Sequence, residues 1–476
     1  VTFARGHGIR LIPSPRSERR AMGFGELIVP SGLEQVIGPE ELFFSTTDRR
    51  GLIRSGNSVF VRTSRFSLDE LTGASHSIVR HPDMPAGIFQ LLWDRMLAGR
   101  PAGAYVRNLA KDGSHYWVFA TMTPSAEGFL SVRMAPRAGL FEEVKRIYKY
   151  VADAELEAAE HDRMNRRDVA LVGREQIERL LGELGFGSHD DFLTEALTAE
   201  VAARGRLASA AYARPRARGP IAEVLAGVGA LETLLTDLVE RLESYRVFSD
   251  RLIRSSTQVL DVARRLDEVV ARAQVASETV ADTVPVLSNV ARVMATPTRT
   301  AMVTLERLVP RLAALRSYVT DLRFRIVLAS LHNNMVAAFA AEVADGIAPL
   351  TSLSEVPQLC DAVQESVLEM SARAQQVNRT LCEIVAEITE AGARLTEFRW
   401  FLGKWRMLVL RHRVEGALAD LVRPIDDEFA AIWDGLDMLQ ELGREFEASA
   451  VPFNVQELEA QLARIRAAAT EYRDAC

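Results

Sequence analysis

The sequence predicts an α+β domain, an antiparallel sheet with flanking helices, followed by a mostly α-helical region of coiled-coil or bundle type. Three observations carry that reading. From about residue 40 to residue 135, short β-type runs alternate with turn chemistry. Beyond Ala138 the texture becomes charged and helical. From Leu231 onward, apolar residues recur at three-four spacing over a length that only a long helix sustains.

In the first region, Leu42-Phe43-Phe44-Ser45-Thr46-Thr47 reads as a short strand, and Asp48-Arg49-Arg50-Gly51 as the turn into Leu52-Ile53-Arg54. Ser67-Leu68-Asp69-Glu70 is a capping box, in which serine and glutamate satisfy each other's exposed amides at a helix start. Pro85 opens a longer helix through Phe89, Leu92, Trp93 and Met96, which Gly99 closes. Strands over Ala104–Lys111 and His115–Thr123 follow, joined by a tight turn at Asp112-Gly113. A last strand covers Phe129–Met134.

The helical region begins with a charged connector, Glu142–Met164, and two shorter helices between Val172 and Leu207 around Gly185-Phe186-Gly187-Ser188. Ala213-Arg214-Pro215-Arg216-Ala217-Arg218-Gly219-Pro220 has linker composition. The stripe then runs Leu231, Leu235, Leu238, Leu242, Leu252, Val259, Leu266, Val269, Ala273 and on to Val290, with a kink expected at Pro285 and a break at Thr296-Pro297-Thr298. Further helices are expected from about Ala301 to Asp345, Leu359 to Arg413, Ile425 to Glu447 and Val455 to Asp474. The division is an N-terminal extension (1–37), a sensor-type domain (38–138), a helical connector (139–212), a linker (213–220) and a long-helix region (221–476).

Bulk properties exclude several classes. A chain of 476 residues exceeds a single hydrophobic core, and 48% hydrophobic content does not suit disorder. A net charge of −7, from 57 basic and 64 acidic side chains, leaves no footprint for nucleic acid. Cys360, Cys382 and Cys476 have no metal-ligand spacing and read as thiols in a reducing compartment. The most apolar stretch, Phe324–Val343, contains Arg325, His332, Asn333, Asn334 and Glu342 and is not expected to span a bilayer. The arginine-rich start, Val1–Arg20, has no apolar core after it and does not read as a secretory signal. A cytoplasmic location is the expectation.

The most specific feature is Arg80-His81-Pro82-Asp83-Met84-Pro85 with Trp93 behind it. It resembles the signature of PAS domains of the aerotaxis-receptor family. The resemblance continues through Ser64-Arg65-Phe66, Glu70-Leu71-Thr72-Gly73, Val106-Arg107-Asn108 and Asp112-Gly113-Ser114-His115-Tyr116-Trp117-Val118, within about residues 42–135. It implies a non-covalent FAD between sheet and helices. By motif, Asn57 would lie at the start of the first helix near the ligand, and Arg80, His81 and Asp83 in the segment that supports flavin. Trp93 would offer an aromatic face and Asn108 an amide for the ring edge. Ala102 stands where those domains carry a tryptophan, which removes one aromatic contact.

Two alternatives stand beside FAD. Haem would use His76, His81 or His115 as axial ligand, and a cofactor-free domain would leave Trp93 as core and Arg80 with Asp83 as an ion pair. A cysteinyl-flavin mechanism is excluded, since all cysteines lie beyond residue 359 and His76 occupies the relevant loop. In the helical part, residues 328–335 and 340–343 only faintly resemble the family's signalling tip, and a buried bundle helix with satisfied asparagines is the preferred reading. Phe398-Arg399-Trp400-Phe401 through Arg413 is basic and aromatic, and is expected to be buried with its arginines reaching outward. No catalytic residue and no metal site is assigned. The expected function is a redox, oxygen or energy sensor, a homodimer through its helices, that relays to a chemotaxis-type or other signalling partner. The rival is a structural or scaffolding dimer.

Overall fold

The computed structural model describes residues 21–22, 27–160, 164–208, 211–414, 416–449 and 454–474. The arginine-rich start, the end of the expected helix Glu142–Met164 and Cys476 lie wholly or partly outside the described residues. The chain divides into two compact units, one of Val1–Thr236, Phe324–Val367 and Gln456–Cys476, the other of Asp237–Arg323 and Leu368–Val455. The expected linker, 213–220, separates two helices inside the first unit, because the apolar face that follows it packs within that unit.

The first unit opens with the short pair β1 (Ala21–Met22) and β2 (Leu27–Ile28). Residues 31–35 then lie along the later strand that starts at His115, with Ser31 N donating to Gly113 O and His115 N to Leu33 O, both at 2.8 Å. A five-stranded antiparallel sheet follows. It contains β3 (Leu42–Asp48), β4 (Ile53–Gly56), β5 (Ala102–Leu109), β6 (His115–Pro124) and β7 (Gly128–Met134), in the order β4-β3-β7-β6-β5. Between β4 and β5 lie α1 (Ser58–Ser64), α2 (Leu68–Leu71), a single 3₁₀ turn (His76–Val79) and α3 (Ala86–Leu97). The Ser67–Glu70 capping box forms as the sequence indicates. The β5–β6 connection is a loop over 110–114, in place of the expected two-residue turn. Leu109 pairs with His115, Ala110 N bonds Ser114 O, and Gly113 takes φ 81°.

Strand alternation divides the sheet. Ser45, Thr47, Asn108, Val118, Ala120, Phe129, Ser131 and Arg133 point toward α3, whereas Phe44, Tyr105, Phe119, Thr123 and Val132 point to the opposite face. That opposite face is also covered. It meets segments of α4 (Leu140–Glu160), α6 (His189–Ala208) and α8 (Pro285–Ala344), while α5 (Arg166–Glu183) packs on α3. Phe44 lies edge-on to Phe339 at 5.2 Å, Tyr105 against Phe141 at 5.4 Å, and Thr123 Oγ1 sits 3.4 Å from His332 Nε2. Burial on both faces explains why β7 is buried at every position.

The apolar segment Phe324–Val343 is thus a core helix of this unit. Asn333 Nδ2 donates to Val228 O and to Glu232, and Asn334 Nδ2 to Ser330 O. Among the described residues, α8 alone is long and apolar enough to cross a membrane, and its apolar window is 89% buried within the protein.

The second unit is an antiparallel helix bundle. It is built from parts of α7 (Pro220–Glu278), α8 and α9 (Val356–Arg411), together with α10 (Ala417–Ser449). Arg265 pairs with Glu428 and Arg251 with Glu445 between α7 and α10, and Arg311 pairs with Glu387 between α8 and α9. Leu252, Val259, Leu266, Val270 and Ala273 are buried, so the long stripe finds its covering surface within the chain and needs no second copy to bury it. Pro285 begins α8 and does not kink a longer helix, as suits a proline at the first helical position. Pro297 lies inside α8, where burial of Met294, Ala295, Ala301 and Leu305 outweighs the lost hydrogen bond. In the basic aromatic segment, Phe398, Leu402, Trp405 and Val409 form core, and Trp405 Nε1 bonds Ser277 Oγ at 3.2 Å. Trp400, Met407 and Leu410 remain exposed. The last helix, α11 (Val455–Asp474), begins and ends as the sequence indicates.

Candidate functional site

A cavity of about 190 Å³ lies between the sheet and α3. On the α3 side its wall is apolar and aromatic, formed by Phe89, Leu92, Trp93 and Met96. The sheet contributes Val106, Val118, Ala120 and Met122, and also the polar side chains of Asn108, Ser131 and Arg133. Arg50, Ser75 and Ser77 line it as well and are exposed, so the cavity opens on their side.

The sequence-derived candidates separate into two groups. Arg80, Trp93 and Asn108 line the cavity. The Arg80 guanidinium lies 3.7 Å from the centre of the Phe89 ring, and Trp93 stands edge-on to Phe129 at 5.7 Å. Asn108 is 3% exposed, which places its amide in the interior.

Asn57, His81 and Asp83 do not line it. Asn57 caps α1 instead. Its Oδ1 accepts from Phe44 N at 3.0 Å and Phe60 N at 3.2 Å, and its Nδ2 donates to Leu42 O at 2.8 Å. Both acceptor positions and one donor are therefore taken by backbone. His81 is buried, and its Nδ1 accepts from Asp83 N at 3.2 Å. Burial, with the Arg107 charge behind it, pushes the His81 imidazole down to about 4. Asp83 pairs with Arg107 at 3.2 Å near the surface. These residues of the signature fasten the turn before α3 to β5.

The residues that sequence reasoning missed sit on β7 and in the 3₁₀ turn. Arg133 is 3% exposed, and its Nη2 donates to Ser45 Oγ and to His76 Nε2, each at 2.6 Å. An arginine only donates, so His76 Nε2 must accept and its proton resides on Nδ1. Burial and then the neighbouring guanidinium push His76 down to about 3, which keeps it neutral. Burial likewise lowers Arg133 to about 10. Arg133 Nη1 and Ser131 Oγ, both buried, have no hydrogen-bond partner among the described residues. One signal was available: Phe129, Ser131 and Arg133 share one face of a strand that is otherwise apolar, and a charge there requires a reason.

The same geometry bears on haem. His76 Nε2 is engaged by Arg133, and neither His81 nor His115 lines the cavity.

Two carboxylates connect this domain to the helices after it. Glu155 of α4 accepts from Ala86 N and Gly87 N at the start of α3. Glu200 of α6, fully buried, accepts from Tyr105 Oη at 2.8 Å and from the backbone N–H groups of Arg137 and Ala138 at 2.6 and 3.1 Å. Burial raises the Glu200 carboxyl above its ordinary range despite those donors.

Sheet order, interposed helices and cavity agree with one known family. Residues 56–128 match the PAS fold. The PAS domain is also similar to the aerotaxis receptor of Escherichia coli (strain K12), with 35% identity over 118 residues. That match covers 24% of this chain and 23% of the receptor, so the chain spans about a quarter of the length of that relative. A PAS-fold domain followed by a long helical region is thereby the architecture of the described residues.

Proposed function

We propose that the PAS domain binds FAD non-covalently in the cavity behind α3, and that the protein senses redox, oxygen or energy state and signals through its helices to a protein partner. The observation that carries this reading is the make-up of the cavity. An aromatic wall faces buried polar atoms on the sheet, Arg133 Nη1 and Ser131 Oγ, that lack a hydrogen-bond partner among the described residues. FAD, when bound, supplies a flat ring with one apolar and one polar side, whose charge changes on reduction. Trp93 and Phe89 would cover its apolar surface, while Asn108, Ser131 and Arg133 would bond its polar side. Haem is disfavoured because His76, which lines the cavity, already accepts from Arg133 at Nε2, and among the described residues no other histidine lines it.

Two routes lead from the cavity to α4. Ser131 and Arg133 lie on β7, and the chain passes from there through residues 135–139 into α4. Arg80 lines the cavity just before α3, whose first amides are held by Glu155 of α4. A rearrangement around Arg133 or Arg80 is thus mechanically linked to α4. The test is an absorption spectrum of the purified chain, with chromatography of the extracted chromophore. A flavin spectrum with FAD in the extract supports the reading. A haem spectrum, or a folded and colourless protein after expression with ample flavin, overturns it and favours the scaffold.

A further inference from the structure

We propose that Arg133 makes the cavity selective for a negatively charged ligand ring, so that the protein holds reduced flavin more tightly than oxidised flavin. The inference rests on the FAD reading above and adds a direction to it.

Among the described residues, three arginines, Arg50, Arg80 and Arg133, line the cavity, and no Asp or Glu does. Arg50 pairs with Asp48 at the surface, and Arg80 lies over Phe89 within reach of the Glu155 charge. Arg133 differs from both. It is buried, its only hydrogen-bond partners are the neutral Ser45 and His76, and it pairs with no carboxylate among the described residues. Its guanidinium lies 5.1 Å from the centre of the Phe60 ring, and its Nη1 has no hydrogen-bond partner among the described residues. A buried cation without a counter-charge is costly, and that cost falls when negative charge arrives beside it. Uptake of a hydride equivalent, two electrons and one proton, from a soluble reductant gives a neutral flavin ring one negative charge and forms no bond to the protein. Arg133 therefore favours the product of that step over its reactant.

The experiment uses the full chain as wild type, Arg133→Gln and Arg133→Lys. It measures affinity for oxidised FAD by fluorescence titration, and midpoint potential by equilibration with a reference dye and reductant. The wild type is expected above the potential of free FAD. Arg133→Gln is expected to lose at least about tenfold in the reduced-to-oxidised affinity ratio, or about 30 mV for a two-electron couple. Arg133→Lys is expected to keep part of the effect. A wild-type potential at or below that of free FAD overturns the proposal even if neither variant folds, and so does an unchanged ratio in Arg133→Gln. A wild type that takes up no flavin at all refutes the FAD reading itself, a result distinct from both.

Discussion

Glu155 holds the amide of Ala86 at 2.7 Å with one carboxylate oxygen and that of Gly87 at 2.8 Å with the other. The residue before α3 is Pro85, which offers no capping side chain. A helix start leaves several amides without partners, and here a carboxylate from a later helix satisfies two of them. The helix that follows the signature is thereby completed by the helix that follows the domain.

Glu155→Gln keeps the shape and removes the charge and one acceptor. The first amides of α3 should exchange hydrogen faster, and the first unit should lose about 1–3 kcal/mol. Urea unfolding combined with hydrogen exchange reads both quantities. Unchanged protection of Ala86 and Gly87 would show that the cap contributes nothing.

Close packing of α5 on α3 and α4 depends on two glycines. A Cβ at Gly87 on α3 would clash with the Gly173 and Arg174 backbone of α5, and one at Gly173 would strike the Glu155 carboxylate of α4. Gly87→Ala and Gly173→Ala should each destabilise by about 1–3 kcal/mol through overpacking, although alanine favours helix. Thermal melts that rise for either variant would contradict the packing argument.

Asn57 and Asn108 should respond differently to truncation. Asn57→Ala strips acceptors from Phe44 and Phe60 and should cost about 1–3 kcal/mol of stability, with flavin affinity of the folded fraction little changed. Asn108→Ala should reduce flavin affinity by up to about a hundredfold while the fold persists, and Trp93→Phe should weaken binding more mildly. Flavin titration beside circular dichroism separates the two cases. Equal loss of affinity in Asn57→Ala and Asn108→Ala would return Asn57 to the binding site.

Acid should weaken the first unit through its buried histidines. His332 is fully buried, and burial pushes its imidazole down to about 4 from an ordinary 6.5. Between those values the unfolded chain takes up a proton that the folded chain refuses, so stability falls as pH falls and is complete above the upper value. The contribution is about 1 kcal/mol per pH unit. His332→Gln should flatten the dependence by that amount in urea titrations from pH 7 to 4.5. A slope equal to that of the wild type would mean that another group titrates there.

Much of this protein was legible in the sequence because much of it is set locally. Period-two runs with turn residues gave the strands, the Ser67–Glu70 pair gave a helix start, and the Arg80–Pro85 signature pointed to the PAS fold. Arg80, Trp93 and Asn108, which line the cavity, lie within or beside those motifs. Tertiary structure decided the rest. Asn57 and His81 turned out to bond nearby backbone, since a short polar side chain beside unpaired amides satisfies them before it reaches a ligand. Arg133 acquired its place only when β7 came to lie between β3 and β6, which buried its charge against Ser45 and His76. Apolar periodicity reports that a helix face is covered but carries no address for the covering surface, because burial is non-directional. Phe324–Val343 therefore read as a generic core helix, and only packing set Phe339 against Phe44 and His332 against Thr123.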